Sequence, residues 1–496
     1  MAYRNLGEFI ADLEQMGELV RVQRPVSVDR EITEIADRCM KSAGGGPALF
    51  FEEVRLEDGG TSEFPVAINL FGSYRRVALA LGVEDLDSIG RRIGDLLKMQ
   101  IPETLAGKIA MLPKLAEFAK YAPRALRGVP PCQGVVQTGD QVDITRIPHL
   151  KCWPGDGGAY ITFPLVITRD AETGVLNAGL YRIQILDRSR MAMHWQRHKV
   201  GAAHWRDMAE RGERMPVVVA LGADPASMYA ASAPLPPQVD EFVFAGLLRS
   251  APVRLARATS CDLPVPAEAE IVIEGYIDPA EDLVLEGPFG DHTGFYSLAD
   301  YYPCVHVEAV TYRKGAVYPA TIVGRPPMED YYLGHATERI FLPLLRLTLP
   351  EIVDYHMPPE GIFHNLVFVS IDKQYPGQAR KVINGLWGQG LMSLAKVIVV
   401  LDKDTNVHDV QEAWWVTLNH IDPERDVYFT MGPIDVLDHS ARAFTYGSKM
   451  GIDATRKWPE EGFTREWPDR IVMDPETRRK VDEIWPELGI DLTKPG

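Results

Sequence analysis

No CxxC pair, no long apolar run and no excess of basic residues occur in this sequence, and each lack excludes a class of protein. The five cysteines, Cys39, Cys132, Cys152, Cys261 and Cys304, are odd in number and far apart. They therefore read as buried thiols in a reducing compartment, not as a disulfide framework. The longest apolar runs, such as 397–401, fall far short of the roughly 18–20 residues a spanning helix needs. The first twenty residues lack a basic start, an apolar centre and a small-residue cleavage site, so they are expected to be mature structure. A cytoplasmic protein, at most touching a membrane, is the expectation. Lys plus Arg number 52 against 69 Asp plus Glu, a net charge of −17, which opposes general attraction to nucleic acid or anionic lipid. GxSxG, GxxxxGK[ST] and a complete GxGxxG with its acidic follower are also missing, so serine hydrolase, P-loop and dinucleotide readings lose their usual support.

What is present is the material of a large globular protein. The 496 residues, 46% hydrophobic and 24% charged, exceed what one core usually serves, so two or three domains are expected. Leu6, Phe9, Ile10, Leu13 and Met16 recur at helical spacing and Gly17 stops them. A strand in 18–26 follows, then strand-like 48–51 and 66–70 and helical 89–97 and 113–121. These predict an N-terminal α/β domain over 1–115. From 116 to 310 the pattern changes to short β-rich runs (FPLVITRD, VLNAGLYRIQILD, MPVVVALGA, AEIVIEGYI, VHVEAVTYR), which predicts a barrel-like β domain. Over 311–496, strands LVFVSID and AKVIVVLD alternate with helical 335–347 and 376–389, as in an α/β layer. Asp474 and Pro475 read as a cap and first turn. Val481, Ile484, Trp485 and Leu488 then form one stripe, so a terminal helix should dock on the chain's own body or on a partner. Gly44, Gly45 and Gly46 read as a turn.

Three constellations could carry chemistry. In LEGPFGDHTG, Glu286 and Asp291 stand five apart around Gly287, Pro288 and Gly290, a composition that breaks helix and strand alike and must re-aim both acids. On composition alone acidic loops are usually solvated turns, but burial and mutual repulsion can hold one such acid protonated near neutrality. In VLNAGLYRIQILD a regular strand sends Arg182 to a face with Ala178, Leu180 and Gln184, and Asn177 to the other unless Gly179 makes a bulge. Arg182 emerges among apolar neighbours, suited to clamp a carboxylate in bidentate fashion or to close an edge-strand salt bridge. His194 and His198 have zinc-pair spacing without the glutamate of a metalloprotease. In a strand they share a face, and either, if not structural, could join Asn177 and a carboxylate around a hard dication.

Several long segments in one order, NAGLYRIQ (177–184), ALGADPA (220–226), LEGPFGDHTG (285–294), GRPP (324–327) and GSKMGIDAT (447–455), resemble the UbiD decarboxylases over almost the whole chain. The resemblance implies an α+β multidomain fold whose central domain is a split β-barrel of flavin reductase type and whose C-terminal α/β domain oligomerises. It implies prenylated FMN, a Mn2+ ion bridging protein to the cofactor phosphate, and a K+ ion nearby. Asn177, His198 and Glu241 match the family's metal positions. Asn177, Leu180, Tyr181, Arg182, His194, Trp195, Gln196, Lys199 and Val200 fall where the family holds the cofactor, with Lys449 as the basic residue near its phosphate. Arg182, Glu286 and Asp291 match the catalytic arginine and acid pair. Arg182 would orient the substrate carboxylate, Glu286 would tune Arg182, and Asp291 would deliver the proton, although the two acid roles are interchangeable on sequence.

Close relatives often carry Arg-Gly where this chain has Lys199-Val200, which bears on a backbone approach that glycine permits. Some have Glu at position 291, and the shorter Asp favours ring substrates. The implied activity is reversible non-oxidative decarboxylation of an aromatic acid, first a polyprenylated 4-hydroxybenzoate as in ubiquinone biosynthesis. That substrate implies transient contact with the inner face of the cell membrane. A soluble acid such as a dihydroxybenzoate or a phenazine carboxylate is the alternative. From another class, a flavin-dependent oxidoreductase or a non-catalytic flavin scaffold would suit a split barrel. A homo-oligomer, dimer or hexamer, supplied with cofactor by a flavin prenyltransferase, completes what the resemblance implies.

Overall fold

The computed structural model describes residues 3–97, 119–196, 199–236 and 239–490. The first amphipathic pattern forms the helix Leu6–Gln15, capped by the Asn5 side chain, with Leu6, Phe9, Ile10 and Leu13 buried. Gly17 takes φ +71° after it, the left-handed conformation that glycine adopts without strain. Leu19–Val22, Ala48–Phe51 and Val66–Ile68 lie side by side in one sheet. That sheet gains its fourth strand from Tyr318–Ala320, parallel to Val66–Ile68. The chain thus returns to its first layer after residue 310 before entering the last. Most of the helical pattern expected over 113–121 lies outside the described residues.

The central layer is a nine-stranded sheet ordered Leu176–Gly179, Pro164–Arg169, Met215–Leu221, Ile271–Ile277, Cys304–Tyr312, Arg190–Met193, Ile183–Ile185, Tyr160–Ile161, with Val135–Thr138 added beside Cys304–Tyr312. Thr162 and Phe163 alone join its last strand to its second, and residues 180–182 alone join its first to its seventh. Such short links bring the two ends together, so the sheet curls into a half-barrel. The run MPVVVAL is apolar without alternation because both faces are covered: Val217, Val219 and Leu221 pack in one core, Val218 and Ala220 in another with the N-terminal helix.

The long helix Glu329–Thr348 leads into a five-stranded sheet ordered Ile352–His356, Leu366–Ile371, Val397–Asp402, Tyr446–Asp453, Val427–Pro433. Its three middle strands are parallel, and the helices Gln378–Trp387 and Val410–His420 lie in the connections, as parallel neighbours require. Helix Pro475–Ile484 forms as expected, with Asp474 accepting from the Thr477 amide at 2.8 Å. None of its residues is buried, and Val481, Ile484, Trp485 and Leu488 all stay exposed. Among the described residues, nothing of the chain's own body therefore covers this stripe. All five cysteines are free; Cys132, Cys152 and Cys304 are buried and Cys39 and Cys261 half-buried. Gly44 and Gly45 lie in the turn Ala43–Gly45 and Gly46 closes it.

Candidate active site

Arg182 does not project from a regular strand. The expected single strand is two, Leu176–Gly179 and Ile183–Ile185, and residues 180–182 cross between opposite ends of the curled sheet. Gly179 makes the break feasible, since a Cβ there would lie 2.5 Å from the Tyr181 ring. The guanidinium is buried, as are both acids, with Glu286 0% exposed. Arg182 Nε donates to Glu286 Oε1 at 2.9 Å and Nη2 to Oε2 at 3.2 Å. Nη1 is bonded to Asp291 Oδ2, and Nη2 also reaches Ser297 Oγ at 3.0 Å. The Phe289 ring lies under the guanidinium, 4.9 Å from Cζ. The bidentate partner of Arg182 here is thus Glu286, and four of its five N–H groups are engaged.

The loop aims both acids as the glycine-rich composition requires. Glu286 ends Val284–Glu286, paired to Asp300–Tyr302, and Phe289–Gly290 pairs with Tyr296–Ser297. Gly287 stands at φ +94° and donates its amide to Gln184 Oε1 at 2.8 Å. A Cβ at Gly290 would lie 2.2 Å from Trp153. Neither acid is the protonated group the sequence reading allowed for. Burial raises the pKa of Glu286, but bonds to His194 and Arg182 outweigh it and leave the carboxyl below its usual range. Burial likewise opposes ionisation of Asp291, and Arg182 with His292 overcomes it still further. A shared cation, not mutual repulsion, governs the pair.

Several partners were not singled out in the sequence. His292 Nδ1 lies 2.9 Å from Asp291 Oδ1, and although burial lowers its pKa, Asp291 leaves it raised. Asp330 faces both, and burial pushes its carboxyl up to about 7. Phe363 stacks on His292, and His364 lies beside it. Position next to Asp291 was the only signal for His292; Ser297 and Asp330 had none.

His194 Nδ1 lies 3.0 Å from Glu286 Oε2. Burial, then Arg182, lowers its pKa, so the ring is neutral, Nδ1 donates and Nε2 accepts. That Nε2 and the Trp195 indole N–H are both buried without a partner among the described residues. Trp195 packs edge-on to Tyr181, centroids 6.3 Å apart, and Tyr181 OH accepts from Asn177 Nδ2 and from the Gly201 amide, at 3.3 and 3.4 Å. At Gly201, next to Val200, a Cβ would lie 2.8 Å from Trp195 Nε1. Unspent donors and acceptors beside these aromatic faces fit a flavin-sized polar heterocycle.

Glu241 begins the helix Glu241–Arg249, and its Oε2 accepts from the amide of Ala178, the neighbour of Asn177, at 2.9 Å. Burial pushes this carboxyl up to about 7, the state of a buried acid without a counter-charge. Oxygen donors from Asn177 and Glu241 fit a hard dication. His198 lies outside the described residues. Leu180 is half-buried against the core that holds the N-terminal helix, Val218 and Ala220, and Gln196 is half-buried beside Trp195. Lys199 caps Val200–Arg211 from its backbone, and burial lowers its pKa against the pull of Asp435. Lys449 sits in the last sheet. Its ammonium is bonded to the Ser393 carbonyl and donates to Ala395 O at 3.2 Å, and burial brings its pKa down to about 8. No hydrogen bond or ion pair among the described residues ties it to the Arg182 cluster.

Three family models match the chain: the 3-octaprenyl-4-hydroxybenzoate carboxy-lyase N-terminal domain over 10–97, its Rift-related domain over 124–326, and its C-terminal domain over 331–454. The chain therefore belongs to the UbiD family, whose members are carboxy-lyases. A protein of Aquifex aeolicus without an assigned function is 52% identical over 489 residues, 99% of each chain. Among solved structures, an evolved dimeric form of the UbiD-class enzyme HmfF from Pelotomaculum thermopropionicum, in complex with prFMN, matches at TM-score 0.78 and 27% identity over 96% of this chain and 98% of its own. The closed form of the vanillic acid decarboxylase of Sedimentibacter hydroxybenzoicus matches at TM-score 0.83 and 26% identity over 98% and 99%. The chain is a UbiD-family decarboxylase.

Proposed function

We propose that this chain carries out reversible, non-oxidative decarboxylation of an aromatic acid with prenylated FMN, using Arg182, Glu286 and Asp291. The buried cluster of one guanidinium between two carboxylates carries this reading, since a solvated turn would not bury three charges together. Bound prenylated FMN supplies an electrophilic centre that accepts the electron pair left by CO2. Tyr181, His194, Trp195, Gln196, Lys199 and Val200 would hold it, and Asn177, His198 and Glu241 would take Mn2+ at its phosphate, with K+ close by.

Because Glu286 already occupies the Nε–Nη2 edge of Arg182, an incoming substrate carboxylate binds on the Nη1 side and displaces Asp291. Displacement removes the guanidinium that keeps Asp291 ionised, so its pKa climbs. His292, bonded to it, supplies the proton, and Asp291 passes it to the carbon that has lost CO2. Glu286, fixed by Arg182 and His194, stays ionised and positions the guanidinium.

The favoured substrate is a polyprenylated 4-hydroxybenzoate. Leu285, Phe295, Leu298 and Tyr301, around the acid loop, are exposed apolar side chains, as a prenyl tail and a transient membrane contact would use. A soluble ring acid is the second reading, supported by the vanillic acid decarboxylase among the similar structures. Among the described residues no helix is long and apolar enough to cross a membrane. The exposed stripe of helix Pro475–Ile484 supports a homo-oligomer, and a flavin prenyltransferase would supply the cofactor. Reconstitution with prenylated FMN and Mn2+, followed by CO2 release from prenylated and unprenylated acids, tests the proposal. Release from neither class would refute it.

A further inference from the structure

Away from the acid loop, three imidazoles converge on one buried carboxylate. Glu338, in the helix Glu329–Thr348, has its Oε2 at 3.1 Å from both His335 Nδ1 and His356 Nδ1. The His408 ring stands 4.8 Å from that of His356 and 5.8 Å from that of His335, centroid to centroid. One ligand atom from each of these four residues lies within 4.8 Å of the others. We propose that His335, Glu338, His356 and His408 form a site for a borderline transition-metal dication, with zinc the best fit, sharing no residue with the Asn177, His198 and Glu241 set.

Donor chemistry, charge and support all point to it. Three imidazoles and a carboxylate are ligands of zinc and its neighbours, not of calcium or magnesium. Corners of a tetrahedron with bonds of about 2.0–2.1 Å lie roughly 3.3 Å apart, close to the two separations at Glu338. The Glu338 side chain is 0% exposed, and the adjacent Arg339 gives its guanidinium to Asp87 and Asp354, both at 2.6 Å, with Nη1 also 3.0 Å from His408 Nε2. A dication at the centre of these ligands would give the buried carboxylate a positive partner. Outer contacts orient the ligands as metal sites require. Glu338 Oε1 accepts from the Met357 amide at 2.5 Å, and Asp354 Oδ2 lies 3.2 Å from His408 Nε2. A cavity of about 670 Å³ reaches His335 and His408, with Glu84, Asp85, Asp87 and Asp354 beside Arg75 and Arg339 in its lining, and gives the ion a way in.

Four protein ligands leave no open position, which marks a structural site. It fastens one face of the long helix to the strand Ile352–His356 and to the turn before Val410–His420. The same helix carries Asp330 at its start, facing His292, so the metal steadies the wall of the acid loop.

The test is elemental analysis of the full-length protein purified without chelator, followed by Co2+ substitution. Expected are about one zinc per chain, retained in Glu241→Gln, lost in a His335→Gln/His408→Gln double variant, and a visible Co2+ spectrum of tetrahedral intensity that the double variant lacks. Chelation of the wild type should lower its thermal midpoint, an arm that holds even if the variant misfolds. A wild type that neither contains nor takes up zinc or Co2+ overturns the proposal, as does unchanged zinc content in the double variant. Either result leaves a hydrogen-bonded network in place of a metal site.

Discussion

Replacing Glu286 by Gln removes one charge from the buried triad while nearly preserving shape. Glu286 accepts from Arg182 Nε, Arg182 Nη2 and His194 Nδ1 at 2.9, 3.2 and 3.0 Å. A glutamine keeps one acceptor oxygen and turns an amide NH2 toward a donor that cannot accept it. Charge-assisted bonds contribute about 1.5–3 kcal/mol each, and Asp291 remains as a counter-ion, so a stability loss of about 2–4 kcal/mol is expected, less than the 3–5 of a fully broken pair. Turnover suffers more, because an Arg182 released from its bidentate partner shifts toward Asp291. A misplacement of about 1 Å costs on the order of 100-fold, and losing the poised proton transfer adds a further 10²-fold or more. The assay is CO2 release by the reconstituted variant, with cofactor retention read from its visible absorbance. Cofactor still bound but CO2 release abolished is the expected outcome; unchanged turnover would refute the assignment of the site.

Four further outcomes follow from the same geometry. Asp291→Asn should keep binding an aromatic carboxylate, because Arg182 loses a competitor for Nη1, while turnover drops on the order of 10²–10⁴-fold; fluorescence titration and CO2 release separate the two. Gly290→Ala places a Cβ 2.2 Å from Trp153, so turnover should fall and the thermal midpoint with it, which activity assay and calorimetry measure together. His149 is buried, with Nδ1 3.1 Å from Tyr318 OH and Nε2 3.0 Å from the Ile144 carbonyl, and burial lowers its pKa to about 3. The unfolded chain therefore binds the extra proton below about pH 6.5, so stability falls with falling pH, by about 2 kcal/mol at pH 5; urea unfolding at pH 7 and 5 should show that loss shrinking in His149→Gln. Ile484→Asp should lower the assembled mass in light scattering without changing the secondary structure; an unchanged mass would remove the terminal helix from the interface.

The motifs around Glu286 and Asp291 were legible because Gly and Pro at fixed offsets leave a chain few conformations, and the helix stripes because burial imposes a 3.6-residue period. The position of Arg182 was only half legible. Alternation predicts a continuous strand, whereas a curling sheet breaks it at 180–182, and closure of that sheet is a long-range event with no local sign. Ionisation was misjudged for a related reason: the two acids are governed by a guanidinium about a hundred residues away in sequence, along with His194 and His292. The cluster at Glu338 was hidden because only His335 and Glu338 share a helix turn. His356 and His408 arrive from a strand end and a turn, brought in by the last sheet. Lys449 matched a motif, yet it lies in that last sheet, where its ammonium is held by the carbonyls of Ser393 and Ala395.

The most direct test of the central claim is CO2 release by the protein loaded with prenylated FMN and Mn2+, measured beside the same protein loaded with plain FMN. The account predicts release from at least one aromatic acid with the prenylated cofactor alone, abolished by Arg182→Lys. Flavin reduction by NAD(P)H with plain FMN, without CO2 from any acid, would contradict it and make the chain an oxidoreductase on a decarboxylase fold.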